Sequence, residues 1–283
     1  MLKEIKKSQV KSLLPFRDPQ SHKGQNGKVL IVGGSLEYHG APVLAGLAAL
    51  HSGADLVYLY VPEVIFDPVR SLYPDFIVKK YPGEFLTEKY AENIVEFGKK
   101  CDSILIGPGI GDRERTQTAI AEIVKNLKIP TVLDADAINV LKKIDKFPLQ
   151  QDIVVTSHQN EFNNLVDREI QIDYKDPKSV VLLRSIAMDL HINILLKGHI
   201  DYITSYEGHV LLNKTGNPGM TVGGSGDVLA GFVASMMAQG LEGYDAAKVA
   251  AYYMGKAGDL LAKQKGYNFI ASDLAKTLPY ATA

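Results

Sequence analysis

The sequence predicts an α/β protein, a three-layer α/β/α sandwich around a mostly parallel central sheet. Two observations predict the layers: short apolar runs recur along the chain, and stretches with helical spacing separate them. The runs are Lys28 to Val32, Leu56 to Val61, Ser103 to Ile106, Thr131 to Asp134, Ile153 to Thr156 and Ile192 to Lys197. Each is apolar on both faces, as strands are when helices cover a parallel sheet from both sides.

The remaining elements follow in order. APVLAGLAALHSG, residues 41–53, carries helical spacing, and Gly53 supplies a C-terminal stop. RTQTAIAEIVKNL, residues 115–127, and the stretch ahead of His191 read the same way. Asp201 to Thr204 and His209 to Asn213 flank Tyr206-Glu207-Gly208, which predicts a hairpin at one edge of the sheet. Two helices follow, Asp227 to Gln239 and Tyr244 to Ala262. No repeat, low-complexity tract or linker interrupts residues 1–283, so a single domain is expected.

The bulk composition narrows the function. With 283 residues, 46% hydrophobic and 22% charged, the chain has ample material for a packed core. Its formal net charge is −1 and its Lys and Arg are scattered, which argues against nucleic acid or an anionic membrane as a partner. Cys101 stands alone, which excludes an intrachain disulfide and a cysteine zinc site and fits a reducing cytoplasm. The charged N-terminal stretch does not read as a signal peptide. The apolar run from Ala41 to Leu50 is about half of what a bilayer span requires. A soluble, cytoplasmic protein is expected.

In an open parallel sheet, ligands bind beyond the carboxyl ends of the strands. Gly33 to Ser35, Gly107 to Asp112, Asp134 to Asn139, Ser157 to Phe162 and Lys197 to Asp201 all fall at such ends. One rim therefore collects glycines, carboxylates, a lysine and a histidine. Residues 216–231, GNPGMTVGGSGDVLAG, add six glycines around Asp227, just ahead of an apolar helix. Each glycine inside a regular element costs roughly 0.5–1 kcal/mol relative to alanine, so the cluster implies close approach to a ligand. Amides at a helix N-terminus lack intrahelical partners and carry about half a positive charge, which suits phosphate. Asp227 as a plain helix cap would need none of these glycines. No Lys-Ser or Lys-Thr pair makes this a Walker A loop, and Asp112 breaks the one approach to G-x-G-x-x-G at Gly107. An aspartate inside an anion pocket suits proton removal from a hydroxyl while amides stabilise a phosphoryl group in transfer.

Gly216-Asn-Pro-Gly-Met220, Gly223 to Gly231, SHKGQNGKVLIVGGS and Gly40-Ala41 closely resemble the ADP- or ATP-dependent NAD(P)H-hydrate dehydratases, which are ribokinase-like proteins. The resemblance runs from Ser21 to Asp259. It implies repair of NADH hydrate and NADPH hydrate: a nucleotide phosphorylates the ring hydroxyl, and phosphate is then expelled. It further implies Asp227 as the base and Gly224, Ser225 and Gly226 as the anion hole. Ala41, Gly109 and His158, with Asp227, would line the hydrate pocket. Lys197, Gly198, His199, Ile200, Asp201 and Gly226 would contact ADP or ATP. Mg2+, a homotetramer and a separately encoded hydrate epimerase are implied as well.

Three departures stand out. The family usually reads TPHPGE where this chain has TSHQNE, the lysine segment commonly ends KGxxT where Asp201 stands here, and Met254 occupies a position where histidine is frequent.

Plainer roles compete at several positions. Glu161 reads either as a solvated carboxylate of a first helical turn or as a magnesium ligand. Asp136 reads either as a helix cap or as a second metal or substrate contact, and Asp134 as a strand-end cap or the same. Lys197 closes an apolar strand, where a buried charge requires a carboxylate or phosphate partner. The other histidines show no transition-metal spacing. The same loop would also serve a kinase of a vitamin-like alcohol, or a nucleotide-binding protein without turnover. The helix from Ala41 to Leu50 could serve an interface or the monomer's own core.

Overall fold

The computed structural model describes residues 2–145 and 147–283. Ten strands form one sheet: β1 (Lys3–Glu4), β2 (Lys28–Val32), β3 (Leu56–Pro62), β4 (Ile77–Tyr81), β5 (Ser103–Ile106), β6 (Thr131–Asp134), β7 (Ile153–His158), β8 (Asn193–Lys197), β9 (Asp201–Thr204) and β10 (Val210–Asn213). Their order is β1-β10-β9-β8-β7-β6-β5-β2-β3-β4. β9 runs against both its neighbours, and the other neighbouring pairs are parallel.

Among the described residues ten α-helices surround the sheet: α1 (Lys7–Lys11), α2 (Ala41–His51), α3 (Phe66–Arg70), α4 (Ala91–Gly98), α5 (Glu114–Asn126), α6 (Gln159–Val166), α7 (Pro177–Leu190), α8 (Ser225–Ala238), α9 (Gly243–Lys265) and α10 (Ala271–Thr282). Along β2, Val29 and Ile31 enter one core and Leu30 and Val32 the other. The first core lies under α2, α8, α9 and α10, and the second under α4, α5, α6 and α7. This two-sided burial is why the strand sequences show no polar face. Among the described residues no helix is long and apolar enough to cross a membrane.

The six predicted strands are present, β7 extending two residues further to His158. β1 and β4 were not expected. β4 is an edge strand with two lysines and an exposed Ile77, so its sequence lacks the apolar signature of its buried neighbours. The predicted hairpin forms as β9 and β10, but β1 pairs outside β10 and takes the edge. α8 starts at Ser225, two residues before the expected Asp227, which places the aspartate within the first turn. α2 is buried along most of its length and packs on α8, so its apolar run serves the monomer's core rather than a free interface.

The α2–α8 crossing depends on Gly231, where a Cβ would fall 2.1 Å from the Ala45 carbonyl oxygen. Gly231→Ala is expected to destabilise the protein by ~2 kcal/mol or more, despite alanine's better helix propensity, because two buried helices must separate. A denaturant midpoint unchanged from wild type would contradict this packing.

Candidate active site

The chain runs outward from β2 to β4 and then returns to β5 on the other side of β2, so the sheet has its switch point between β2 and β5. A crevice forms at the carboxyl ends of such strands. The turn after β5 presses onto its neighbours: Gly107 has φ +133°, and a Cβ there would lie 1.8 Å from the Asp134 carbonyl oxygen. Gly109 packs over the start of α2, with Ala41 Cβ 3.1 Å from where its own Cβ would be. The structure thus brings Ala41 and Gly109 together.

The N-terminus of α8 opens onto the same rim. Gly224 caps it with φ +90°, and a Cβ there would lie 2.4 Å from Leu44 Cδ1, so only glycine lets this turn seat against α2. The Val228 amide bonds the Gly224 carbonyl and the Ser225 amide bonds the Val222 carbonyl. Among the described residues, the amides of Gly223, Gly224, Gly226 and Asp227 find no such acceptor. Of the expected anion-hole residues, Ser225 is therefore the exception, since its N–H closes the turn. Space beside Gly223 is open.

Beneath this loop lies Lys197, at the end of β8. Its Nζ is 3.0 Å from Asp134 Oδ1 and 4.0 Å from Glu161 Oε2. A Cβ on Gly226 would lie 3.3 Å from the same Nζ. Asp134 also accepts the Thr156 hydroxyl at 2.7 Å. Burial alone would discharge this lysine, but Asp134 and Glu161 more than offset it and hold its pKa above the usual value. Burial, reinforced by Asp134 and Glu161 and opposed by Lys197, pushes Asp227 up to about 7. Burial, with Asp134 adding, also raises Glu161 against the pull of Lys197 and His158. One lysine faces three carboxylates, so the acid least able to stay ionised is the one at the mouth of the amides.

A cavity of about 390 Å³ adjoins this cluster, a size suited to a small ligand. Lys197, Gly198, His199, Asp201, Ser225 and Gly226 contribute to it, as the nucleotide assignment expects for most of them. Ile200 does not: it lines a separate pocket of about 220 Å³ on the other side of the turn, with Tyr202. Asp201 turns its carboxylate into the protein, to the Gly198 amide and Asn213. Sequence reasoning missed the opposite wall, formed by Thr215, Gly216, Asn217, Met254 and Gly255. Its signal was the GNPG stretch, whose turn sits on the glycine face of α9: a Cβ on Gly255 would lie 2.1 Å from Thr215 Oγ1.

His158 and Glu161 form a capping box at the start of α6. His158 caps α6, its Nδ1 accepting the Asn160 and Glu161 amides at 3.1 and 3.2 Å, while Glu161 Oε2 accepts the His158 amide at 2.7 Å. The imidazole is turned onto its own helix and lies outside the cavity. Asp136 belongs to a 3₁₀ segment, Ala135–Lys143, and is pushed up by burial and by Asp112, opposed by the Gly111 amide. Asp134 adds to that push, as it does at Glu161, but among the described residues no group of three acidic, histidine or cysteine side chains could hold a metal. Gln159, standing where a proline is usual, ties α6 to the following segment through the Ile170 carbonyl and the Ile172 amide. The SHKGQNG stretch lies at the opposite end of the sheet. There Asp55 accepts the Gly24 and Asn26 amides at 2.8 and 3.1 Å.

A helix N-terminus opened by glycines, with an acid in its first turn, set beyond the carboxyl ends of a mostly parallel sheet, defines a ribokinase-like protein. Residues 29–280 match the NAD(P)H-hydrate dehydratase family, and the chain belongs to it. It is 36% identical over 277 residues to a Cenarchaeum symbiosum protein named ADP-dependent (S)-NAD(P)H-hydrate dehydratase, covering 97% of this chain and 95% of that one. It is 40% identical over 270 residues to the bifunctional NAD(P)H-hydrate repair enzyme Nnr of Methanothermobacter thermautotrophicus, covering 94% of this chain and 51% of the other. The chain thus spans about half the length of the bifunctional relatives it matches. A Bacillus subtilis ADP/ATP-dependent NAD(P)H-hydrate dehydratase, co-crystallized with ATP/Mg2+, superposes with a TM-score of 0.85 at 26% identity, covering 99% of this chain and 97% of that one. A hydroxyethylthiazole kinase from Pyrococcus horikoshii, at 14% identity and a TM-score of 0.60, shares the fold.

Proposed function

We propose that the chain is an ADP-dependent (S)-NAD(P)H-hydrate dehydratase, a lyase that returns hydrated NADH and NADPH to their reduced forms, with ATP as the alternative phosphoryl donor. One observation carries the reading: Asp227, held at about 7 by its surroundings, sits beside amides without acceptors at the edge of a cavity of about 390 Å³. A base poised near neutrality takes the proton from the ring hydroxyl as its oxygen attacks the terminal phosphorus of the nucleotide. The P–O bond to the nucleotide breaks, and the amides of Gly224, Gly226 and Asp227 stabilise the charge on the phosphoryl oxygens. The C–O bond of the phosphorylated hydrate then breaks, phosphate leaves with that electron pair, and loss of a ring proton restores the double bond.

Lys197 and the turn to His199 line the nucleotide end, while Ala41 and Gly109 mark the hydrate end on the other side of Asp227. We assign no substrate contact to His158 or Ile200. The donor set fits a magnesium ion held chiefly by phosphates and water, with Glu161 as its contact on the protein, since Lys197 already neutralises Asp134. Bound there, Mg2+ would neutralise charge on the phosphates. Asp136 has no part in that set. We further take the protein to act in the cytoplasm, in keeping with its lone, buried Cys101, and as a homo-oligomer. A tetramer must use surfaces other than α2; the exposed Tyr267, Ile270 and Tyr280 are available.

The test is direct. Purified protein mixed with the hydrate, magnesium and either ADP or ATP is expected to restore the absorbance of the reduced nicotinamide. No recovery with either nucleotide overturns the assignment, and a product that keeps its phosphate marks a kinase instead.

A further inference from the structure

Asp201 stands out because both oxygens of its carboxylate are engaged within the protein. Its Oδ1 accepts the Gly198 amide at 3.0 Å, and its Oδ2 accepts Asn213 Nδ2 at 2.9 Å. Asn213 is buried, at 2% exposure, and carries the link onward. Its Nδ2 also donates to the Ala251 carbonyl at 3.1 Å, and its Oδ1 accepts the Thr215 amide at 3.3 Å. The Thr215 hydroxyl lies 2.9 Å from Asn213 Oδ1 and 3.0 Å from the Tyr252 carbonyl, sharing its proton between them. Gly198, Thr215 and Ala251 belong to three different walls of the 390 Å³ cavity.

We propose that Asp201 is a positioning residue: through Asn213 it locks the turn after β8, the loop after β10 and the face of α9 into one nucleotide-binding cavity. The inference rests on the nucleotide-dependent reading above and assigns Asp201 to the frame of the site rather than to contact with the ligand. Geometry supports the distinction. Both carboxylate oxygens are committed to protein donors, whereas Lys197 and the free amides of α8 face the cavity with hydrogen-bonding capacity left. A hydroxyl at position 201 has one oxygen and could not span Gly198 and Asn213 in this way.

Asp201→Asn keeps the shape but sets one amide donor against another at Asn213, so one buried donor loses its acceptor. Exchanging both, Asp201→Asn with Asn213→Asp, restores opposed donor and acceptor and keeps the net charge, leaving only the Ala251 carbonyl without its partner. Two measurements on the full chain test this: binding of a fluorescent ADP analogue without turnover, and steady-state kinetics. Asp201→Asn is expected to weaken the analogue and to raise the nucleotide KM by about tenfold, with kcat within about threefold of wild type. The exchange is expected to recover most of the affinity. Thr215→Val, which removes the hydroxyl placed between Asn213 and the Tyr252 carbonyl and leaves the contacts of Asn213 to Asp201 and Ala251 in place, serves if Asp201→Asn does not fold, and should weaken binding by about threefold.

Wild-type affinity in Asp201→Asn, or in Thr215→Val where that variant is used, overturns the proposal. So does a loss confined to kcat, or an exchange variant no better than the single one. A wild-type protein that does not bind the analogue at all overturns the nucleotide reading itself, and the positioning role with it.

Discussion

Asp227→Asn is expected to lower kcat by roughly 10²–10⁴-fold while nucleotide affinity stays near wild type, and to make the protein more stable at pH 8. The first effect follows from removing the carboxylate that, in the proposed reaction, accepts the hydroxyl proton beside the free amides. The second follows from burial. In the unfolded chain this carboxylate titrates near the ordinary 3.8, and in the folded protein near 7. Between those values the folded state holds a proton that the unfolded state has shed, so stability falls as pH rises through the window. Above about 7 both states are ionised and the penalty is constant, at about 1.4 kcal/mol per pH unit of separation and so up to ~4 kcal/mol. Asparagine has no proton to lose. Denaturant melts of the two proteins should nearly coincide at pH 4 and diverge in favour of the variant by pH 8. A variant no more stable than wild type at pH 8 would show that Asp227 is not the strained acid of the site.

Lys197→Met carries the opposite sign. The substitution keeps most of the volume but removes the one cation facing Asp134, Glu161 and Asp227. A buried ion pair that loses one partner typically costs 3–5 kcal/mol, because the remaining charge has no compensation. Without the lysine Asp227 and Glu161 are held further above their unfolded values, so the cost is small where they are protonated and grows as pH rises through their folded values. The variant is expected to be close to wild type at pH 5, to melt well below it at pH 8, and to lose nucleotide binding. Equal losses at both pH values would point to packing instead of charge. Asp227→Asn introduced alongside should relieve part of the deficit, since the two residues share one electrostatic cluster and their effects cannot be additive.

The strands were legible because a parallel sheet covered on both faces writes uninterrupted apolar runs into the chain, and β2, β5, β6 and β8 appear close to where those runs lie. β4 escaped notice because an edge strand has one wet face, and its lysines reflect that. The glycine cluster marked an open helix start, since nothing in a regular helix start calls for so many residues without side chains. His158 and Glu161 were harder to read. At the end of a strand, a functional pair and a capping box require the same residue types at the same spacing, and only the direction of the imidazole separates them. SHKGQNG shows the converse: a stretch that carries the family resemblance serves the far end of the sheet, holding β2 and β3 together through Asp55.

By itself the sequence determined the layers, the strands that build the rim, and the glycine-opened helix start, because local periodicity and backbone freedom are properties of neighbouring residues. Which charges meet at that rim was decided by tertiary structure alone. Asp134, Glu161, Lys197 and Asp227 lie far apart along the chain, and the sheet order brings them into one buried cluster that shifts the protonation of Glu161, Lys197 and Asp227. The same folding turned Asp201 inward to Asn213 and set Asp136 against Asp112 and the Gly111 amide, since the energy of a charged or polar group depends on what surrounds it in space.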